Sequence, residues 1–426
     1  MENTNKYWKG LEELNNDPKF LERKKNEFAE GIPLEEVLTE SDGELTSNRR
    51  DFLKYFGFSV SAVALAACNK TPVKNAIPYI VKPETITPGI PNWYASTNPA
   101  TGVSVLVKTR EGRPIKIEGN PQSPLFKGGV AATDHATILE LYDNERLQGP
   151  KSEGNDVDWN TLDSKLGKAL AGAKNIRIVS GAINSPSAKR AIAEFTAKFP
   201  QTKHVTYEPV SYNAITEANN QSFGKAVIPG YQFDKAKVIV SFGADFLGSW
   251  ISPVEFTKQW VKNRKVGSTN NGANTMSRHY QFEANLSVTG SNADIRVPIK
   301  PSAEGVALIS LYNKVAILAG AAKMSTPGDV EFAVNMIENA AKELWANRGA
   351  SLVVCGSNNV AHQLIVNAIN SVLGNIGTTV DLDNYSNHKG GDDTAFENFA
   401  KELASGSVDA LGNKCRSRAW VSGGWG

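Results

Sequence analysis

Thiol and imidazole side chains, the ones best suited to redox and transition-metal chemistry, are few: three cysteines (Cys68, Cys355, Cys415) and five histidines (His135, His204, His279, His362, His388). A four-iron cluster held by thiolates or a zinc site built only of cysteines needs four thiolates, so the 426 residues exclude both, and they exclude a second disulfide. The histidines are scattered, no two at metal-ligand spacing, and read as structural. Cys355 lies inside an apolar run with no cationic neighbour in the sequence to lower its pKa, so it reads as a buried, inert thiol. Neither Gly-x-Gly-x-x-Gly nor a P-loop is present, which argues against a plain Rossmann dehydrogenase or an NTPase. Lys262, Arg264 and Lys265 form a short basic run that reads as a solvated face. Lys plus Arg number 46 against 44 Asp plus Glu, which leaves no electrostatic footprint for nucleic acid.

Cys68 stands apart from the other two. Ser47-Asn48-Arg49-Arg50-Asp51-Phe52-Leu53-Lys54 reads as a twin-arginine (Tat) export signal, with Arg49 and Arg50 as its cationic region. Tyr55 to Ala67 is apolar or small throughout, too short to cross a hydrocarbon core of ~30 Å but suited to a signal peptide. It closes on Leu65-Ala66-Ala67-Cys68, a lipobox. The expectation is a lipoprotein exported by the Tat pathway, with lipidation at Cys68, held on a membrane surface at the periplasmic face. Ahead of the signal, residues 1–47 carry a charged amphipathic pattern (Trp8, Leu11, Leu14, Phe20, Leu21, Phe28) that predicts an N-terminal helical arm.

Hydrophobic residues make up 41% and charged residues 21%, enough for a real core. Residues 69–92 are rich in Pro and Thr and read as a linker. Val103, Val105 and Val107 alternate with polar residues, Arg110-Glu111-Gly112-Arg113 turns, and Ile115 and Ile117 alternate again: a β-hairpin. From Ile176 the rhythm becomes strand, glycine, helix. Short apolar strands at 176–180, 238–242 and 351–355 end at Gly181, Gly243 and Gly356, and helices follow. The fold class is therefore α/β, parallel sheets flanked by helices, preceded by a small β-rich hairpin region. Ligands in such sheets bind beyond the carboxyl ends of the strands. The expected divisions are the arm at 1–47, the signal at 48–68, the linker at 69–92 and a β-rich domain at 93–156. A first α/β domain made of 157–207 and 346–411, a second at 208–345, and an atypical tail at 412–426 complete the scheme.

Taken in order, several segments resemble the molybdopterin oxidoreductase superfamily. They are Arg110 to Pro121 with its Gly-Asn-Pro turn, Leu141-Tyr142-Asp143-Asn144-Glu145-Arg146-Leu147, Trp159, Phe242-Gly243-Ala244-Asp245, Ala293-Asp294 with Pro298-Ile299-Lys300-Pro301, and Ile369 to Gly377. The resemblance covers roughly residues 93 to 411. The arm Trp8-Lys9-Gly10-Leu11-Glu12-Glu13-Leu14 ahead of an internal Tat signal, the stretch Gly243 to Trp250, and Glu283 with Thr289 to Asp294 are similar to the B subunit of bacterial alternative complex III. That resemblance implies a quinol-oxidising respiratory complex in which a molybdopterin-like domain is a cofactor-free scaffold. Iron–sulfur clusters then belong to a C-terminal part that this sequence lacks.

The departures agree with an empty site. Tyr94 to Gly102 stands where active relatives carry cluster cysteines, and a later one falls near Val130-Ala131-Ala132. The resemblance makes Glu208 the vestigial metal-ligand position, and Gly243, Asp245, Glu283, Asp294 and Glu304 vestigial pterin-site positions. Pro301-Ser302-Ala303-Glu304 replaces the nucleotide-recognising Pro-Gly-Thr-Asp. From Gly412 the chain is basic and aperiodic where the family continues into an apolar strand, which reads as a truncated or frame-disrupted product. The expected function is a scaffold part of a membrane-anchored electron-transfer subunit, with the other subunits of that complex as partners. It has no catalytic residue, metal or cofactor of its own. An active molybdopterin-dependent oxidoreductase and a two-lobed ligand-binding lipoprotein are the alternatives.

Overall fold

The computed structural model describes residue 18 and residues 86–423 apart from 88, 266–275, 327, 329–332 and 415–418. Arg49, Arg50, Cys68, Cys415 and nearly all of the N-terminal arm and of the linker up to 85 lie outside the described residues.

The hairpin forms as its alternation predicts. Strands β1 (Asn92–Thr97), β2 (Ser104–Arg110) and β3 (Arg113–Gly119) make an antiparallel sheet in the order β1-β2-β3. The two-residue turn holds Glu111 at φ 53° and Gly112 at φ 76°, the pair of positive angles a tight right-twisted hairpin requires. Val103, Val105, Ile117 and Phe126 form its small core. A short helix, α1 (Ala132–Ala136), and a two-stranded ribbon of β4 (Lys151–Ser152) and β5 (Asn155–Asp156) follow.

Helix α2 (Trp159–Gly172) leads into β6 (Ile176–Ser180), α3 (Pro186–Lys198) and β7 (Thr202–Thr206). Ser185 caps α3 by accepting from the Ala188 N–H, and Pro186 sits where its missing N–H costs nothing. β6 and β7 run parallel, and β14 (Ala410–Lys414) joins the other side of β6, also parallel. β15 (Ala419–Gly423) pairs antiparallel with β14, which gives the order β15-β14-β6-β7. The expected aperiodic tail is corrected here, because the strand begins at Ala410 and crosses the boundary set at 412. Its strand character comes from pairing with β6 rather than from its own Gly-Asn-Lys composition.

The second sheet holds the larger core. After α4 (Asn213–Phe223) and β8 (Ile228–Tyr231) come β9 (Val238–Phe242), α5 (Pro253–Lys262), β10 (Arg278–Glu283), α6 (Val288–Ser291) and β11 (Ile295–Pro298). Then follow α7 (Glu304–Ala319), α8 (Val334–Ala346), β12 (Ser351–Cys355), α9 (Val360–Val372), β13 (Val380–Ser386) and α10 (Asp393–Ala404). β13 pairs antiparallel with β8, while β11-β10-β9-β12 is fully parallel. Every residue of β9 and β12 is buried, as strands covered on both faces must be. On one face Val240, Phe242, Val353 and Cys355 pack with Leu308, Leu311, Ile337, Leu344 and Ile369. On the other, Ile239, Leu352 and Val354 pack with Phe233, Phe246 and Phe256. The helical stretch 301–319 is long and apolar enough to cross a membrane, and core packing accounts for its apolar residues: Ala307, Leu308, Leu311 and Val315 have no exposed surface.

The expected discontinuous domain is also corrected. β12 lies beside β9, so 351–355 and the helix after it belong with the sheet of 208–345 and not with 157–207. An apolar five-residue strand fits either sheet by composition. What decides is that β12 has a side-chain row for each of the two large cores.

Candidate functional site

From β9 the chain moves outward to β10 and β11, then returns to place β12 on the opposite side of β9. The strand order therefore reverses between β9 and β12, and the crevice beyond their carboxyl ends is the position where such sheets bind ligands. Its floor is glycine. The Gly356 N–H donates to Phe242 O at 2.8 Å, and a Cβ on Gly356 would stand 2.5 Å from Gly243 O, so only glycine lets the two strand ends approach. Gly243 itself has φ 60°.

Three side chains meet over this floor. Glu304 opens α7, Cys355 ends β12, and His362 lies in the first turn of α9. Cys355 Sγ is 3.4 Å from Glu304 Oε1, and His362 Nδ1 is 3.2 Å from the same oxygen. Burial, and then the Glu304 carboxylate, push the Cys355 thiol well above its ordinary pKa. Cys355 is buried as expected, but His362 is not the isolated structural histidine that its place in the sequence suggests. The available signal was positional: a Cys closing a strand and a His seven residues on both face the carboxyl end of the sheet. The partner Glu304 lies 51 residues earlier, which no local pattern reveals.

The other vestigial positions are committed to internal ties. Asp245 accepts from Thr289 N and Oγ1 at 3.0 and 2.7 Å, fastening the turn after β9 to α6. Glu283 accepts from Ser287 N and Oγ, Gln281 Nε2 and Arg296 Nε. Asp294 takes both guanidinium nitrogens of Arg264 at 2.7 and 2.9 Å and the His279 N–H at 2.8 Å. Burial alone would raise both of the last two carboxyls, yet these bonds hold them below the usual range. Arg264 is accordingly not on a solvated face: its side chain is 13% exposed and stacks over Trp260 at 4.6 Å. Glu208 lies by the first sheet, where Ala182 N donates to Oε1 at 3.0 Å and Lys389 Nζ stands 3.6 Å from Oε2.

The loops at Gly243 and Gly356 thus come together, while Gly181 lies elsewhere. It borders a cavity of ≈ 740 Å³ between Thr97–Gly102, Ser180–Pro186 and Asn384–His388, which Glu255 also lines. The two segments where the resemblance places cluster cysteines are joined by one residue that sequence reading missed. Asp134, with no exposed surface, accepts from Asn98 Nδ2 at 2.8 Å, Thr101 Oγ1 at 2.6 Å and Ala131 N at 2.8 Å.

Fold and crevice define an α/β protein with mostly parallel sheets and a topological switch point between β9 and β12. No family profile matches the chain. Two curated proteins do, both subunits named for molybdopterin. The menaquinone reductase, molybdopterin-binding-like subunit of Nitratidesulfovibrio vulgaris is 27% identical over 242 residues, 54% of this chain and 33% of that protein. The arsenate respiratory reductase molybdopterin-containing subunit ArrA of a Shewanella species is 23% identical over 255 residues, 54% of this chain and 28% of that protein. The distant homologues are thus molybdopterin-type reductase subunits, and the chain matches about a third of their length. Among solved structures, the formyltransferase/hydrolase complex of Methylorubrum extorquens aligns at TM-score 0.42 and 14% identity, covering 61% of this chain and 74% of that one. Acetylene hydratase of Pelobacter acetylenicus aligns at TM-score 0.40 and 11% identity, covering 67% and 42%. Superpositions this loose establish no shared fold.

Proposed function

We propose that this chain is a molybdopterin-oxidoreductase-like scaffold in an electron-transfer subunit of a quinol-oxidising respiratory complex of the alternative complex III type, working without a pterin or cluster of its own. The observation that carries the reading is Asp134. Where the resemblance implies iron-binding thiolates, a buried carboxylate holds the two segments together through three hydrogen bonds. The committed carboxylates of Asp245, Glu283 and Asp294 support it, because a nucleotide ligand would have to displace partners already in place. In this reading the chain holds no molybdopterin, because the carboxylates that would face its nucleotide already bond Thr289, Ser287, Arg296 and Arg264. The names of the relatives, a molybdopterin-binding-like subunit of a menaquinone reductase and a respiratory reductase subunit, favour quinone-linked electron transfer with partner subunits. Export by the Tat pathway and a lipid on Cys68 complete the proposal, with the chain held at the periplasmic face of a membrane.

Protein purified from the membranes of a host that makes molybdenum cofactor tests this directly. Elemental analysis and pterin extraction should find molybdenum, tungsten and pterin far below one per chain, and intact mass should begin at an acylated Cys68. Stoichiometric metal and pterin would instead make it an active oxidoreductase. The ≈ 740 Å³ cavity favours a second reading, binding of a small solute, which saturable calorimetric titration with no respiratory subunits co-purifying would establish.

A further inference from the structure

We propose that Glu304, Cys355 and His362 bind one divalent transition-metal ion of the zinc class, leaving a fourth coordination position open. The donors come from three different elements, and one ligand atom from each lies within 4.8 Å of the others. In a tetrahedral site with metal–N and metal–O near ~2.0 Å and metal–S near ~2.3 Å, neighbouring donors stand roughly 3.2–3.6 Å apart. Two of the three pairs, at 3.4 and 3.2 Å, already have that spacing. A thiol and an imidazole beside a single carboxylate select zinc, cobalt or nickel over calcium or magnesium, which take oxygen alone.

The surroundings are arranged around these three groups. A Cβ on Gly305 would stand 2.8 Å from His362 Nε2, so the glycine makes the recess in which the imidazole lies. Ser357 N–H donates to Cys355 Sγ at 3.4 Å, a bond that favours the thiolate a metal requires. Gln363 Nε2 donates to the carbonyls of Cys355 and Ser357 at 3.0 and 2.7 Å and fixes the loop between strand and helix. Access is one-sided. The side chains of Glu304 and His362 are 17% and 20% exposed, whereas Cys355 is 1% exposed and closes the site from behind. Binding releases the thiol proton to solvent and makes no change in oxidation state. The inference does not rest on the scaffold reading, since it concerns the crevice of the second sheet alone.

The test is titration of the purified full chain with Co²⁺ alone as probe, followed by displacement with Zn²⁺. One equivalent is expected to give a thiolate-to-cobalt charge-transfer band and the intense visible bands of tetrahedral cobalt. Cys355→Ser should abolish the charge-transfer band, while a chain lacking Cys68 and Cys415 should keep it. His362→Ala and Glu304→Gln should each weaken binding by more than about 100-fold, beyond the range of about 10–100-fold that loss of an outer partner costs. Circular dichroism of the metal-free variants checks their fold. Should Cys355→Ser not fold, a zinc-dependent rise in parent Tm that Glu304→Gln removes decides in favour. A charge-transfer band that survives Cys355→Ser, affinity indifferent to His362→Ala, or no binding by the folded parent overturns the site.

Discussion

Glu255 shows how one buried carboxyl can set the pH response of this fold. It sits in the first turn of α5, is 6% exposed, and bonds Gln259 Nε2 at 3.2 Å. Burial pushes its pKa from 4.5 up to about 7. A carboxyl raised on folding binds more protons in the folded state, so its contribution to stability is present at low pH and is lost as pH rises between 4.5 and about 7. His279 works in the opposite sense over an overlapping window. Burial holds it neutral by lowering its pKa from 6.5 to about 4, so only the unfolded chain protonates in that interval, and stability falls with acid. The Asp294 and Glu283 carboxyls, held low, withdraw their support further down as pH drops. Replacing Glu255 by Gln keeps the neutral shape and removes the opposing term. The Glu255→Gln chain should be at most about 3 kcal/mol more stable than the parent at pH 8, with the difference vanishing near pH 4.5. Urea unfolding at several pH values measures this, and a gain that does not grow with pH sinks it.

At the scale of elements, β12 poses the problem of an exposed sheet edge. Among the described residues no strand lies on its outer side, yet every residue in it is buried. Asn370 of α9 takes the place of a neighbouring strand: its Oδ1 accepts from Val353 N at 3.1 Å and its Nδ2 donates to Val353 O at 2.8 Å. Asn375 Nδ2 donates to the same Oδ1 at 2.9 Å, and Ser351 Oγ donates to Asn375 Oδ1 at 3.2 Å. Asn370→Leu should cost about 3 kcal/mol, because two buried backbone groups lose their partners together, and denaturant unfolding reads it. A cost below about 0.5 kcal/mol, the range of neutral surface changes, would show that the amide is not the edge. The segment from Ile369 to Gly377 was legible in the sequence as a family-like motif, but its task was not. Side-chain mimicry of a strand depends on which strand lies opposite, and only the folded sheet supplies that. The same holds for His362. Its neighbour Cys355 was visible as a strand end, whereas Glu304 reaches it through tertiary packing.

Among the described residues, the hairpin alternation and the β-glycine-helix rhythm made β2, β3, β6, β9 and β12 legible, with α3, α5 and α9 after the last three and the parallel character of the sheets. By contrast, β7, β8, β10, β11, β13 and β14 were not placed. Which strands share a sheet was not legible, because 176–180, 238–242 and 351–355 are equally short and apolar. The difference between them lies in what covers them. β9 and β12 are buried at every position between two large clusters. β6 rests on a small core of Leu170, Ala173, Ile176 and Ala410, and its neighbour β7 leaves Lys203 and His204 exposed. Local opening follows the apolar area that must be hydrated, so the two sheets should not share one stability. Native-state hydrogen exchange read by mass spectrometry should find peptides over 238–242 and 351–355 the slowest, exchanging only through global unfolding. Peptides over 176–180 and 202–206 should exchange at lower free energy, with little dependence on the denaturant that unfolds the second sheet. Equal protection of the two sets, or the reverse order, would mean that the sheets unfold as one unit and that cover by the two large clusters does not set local stability.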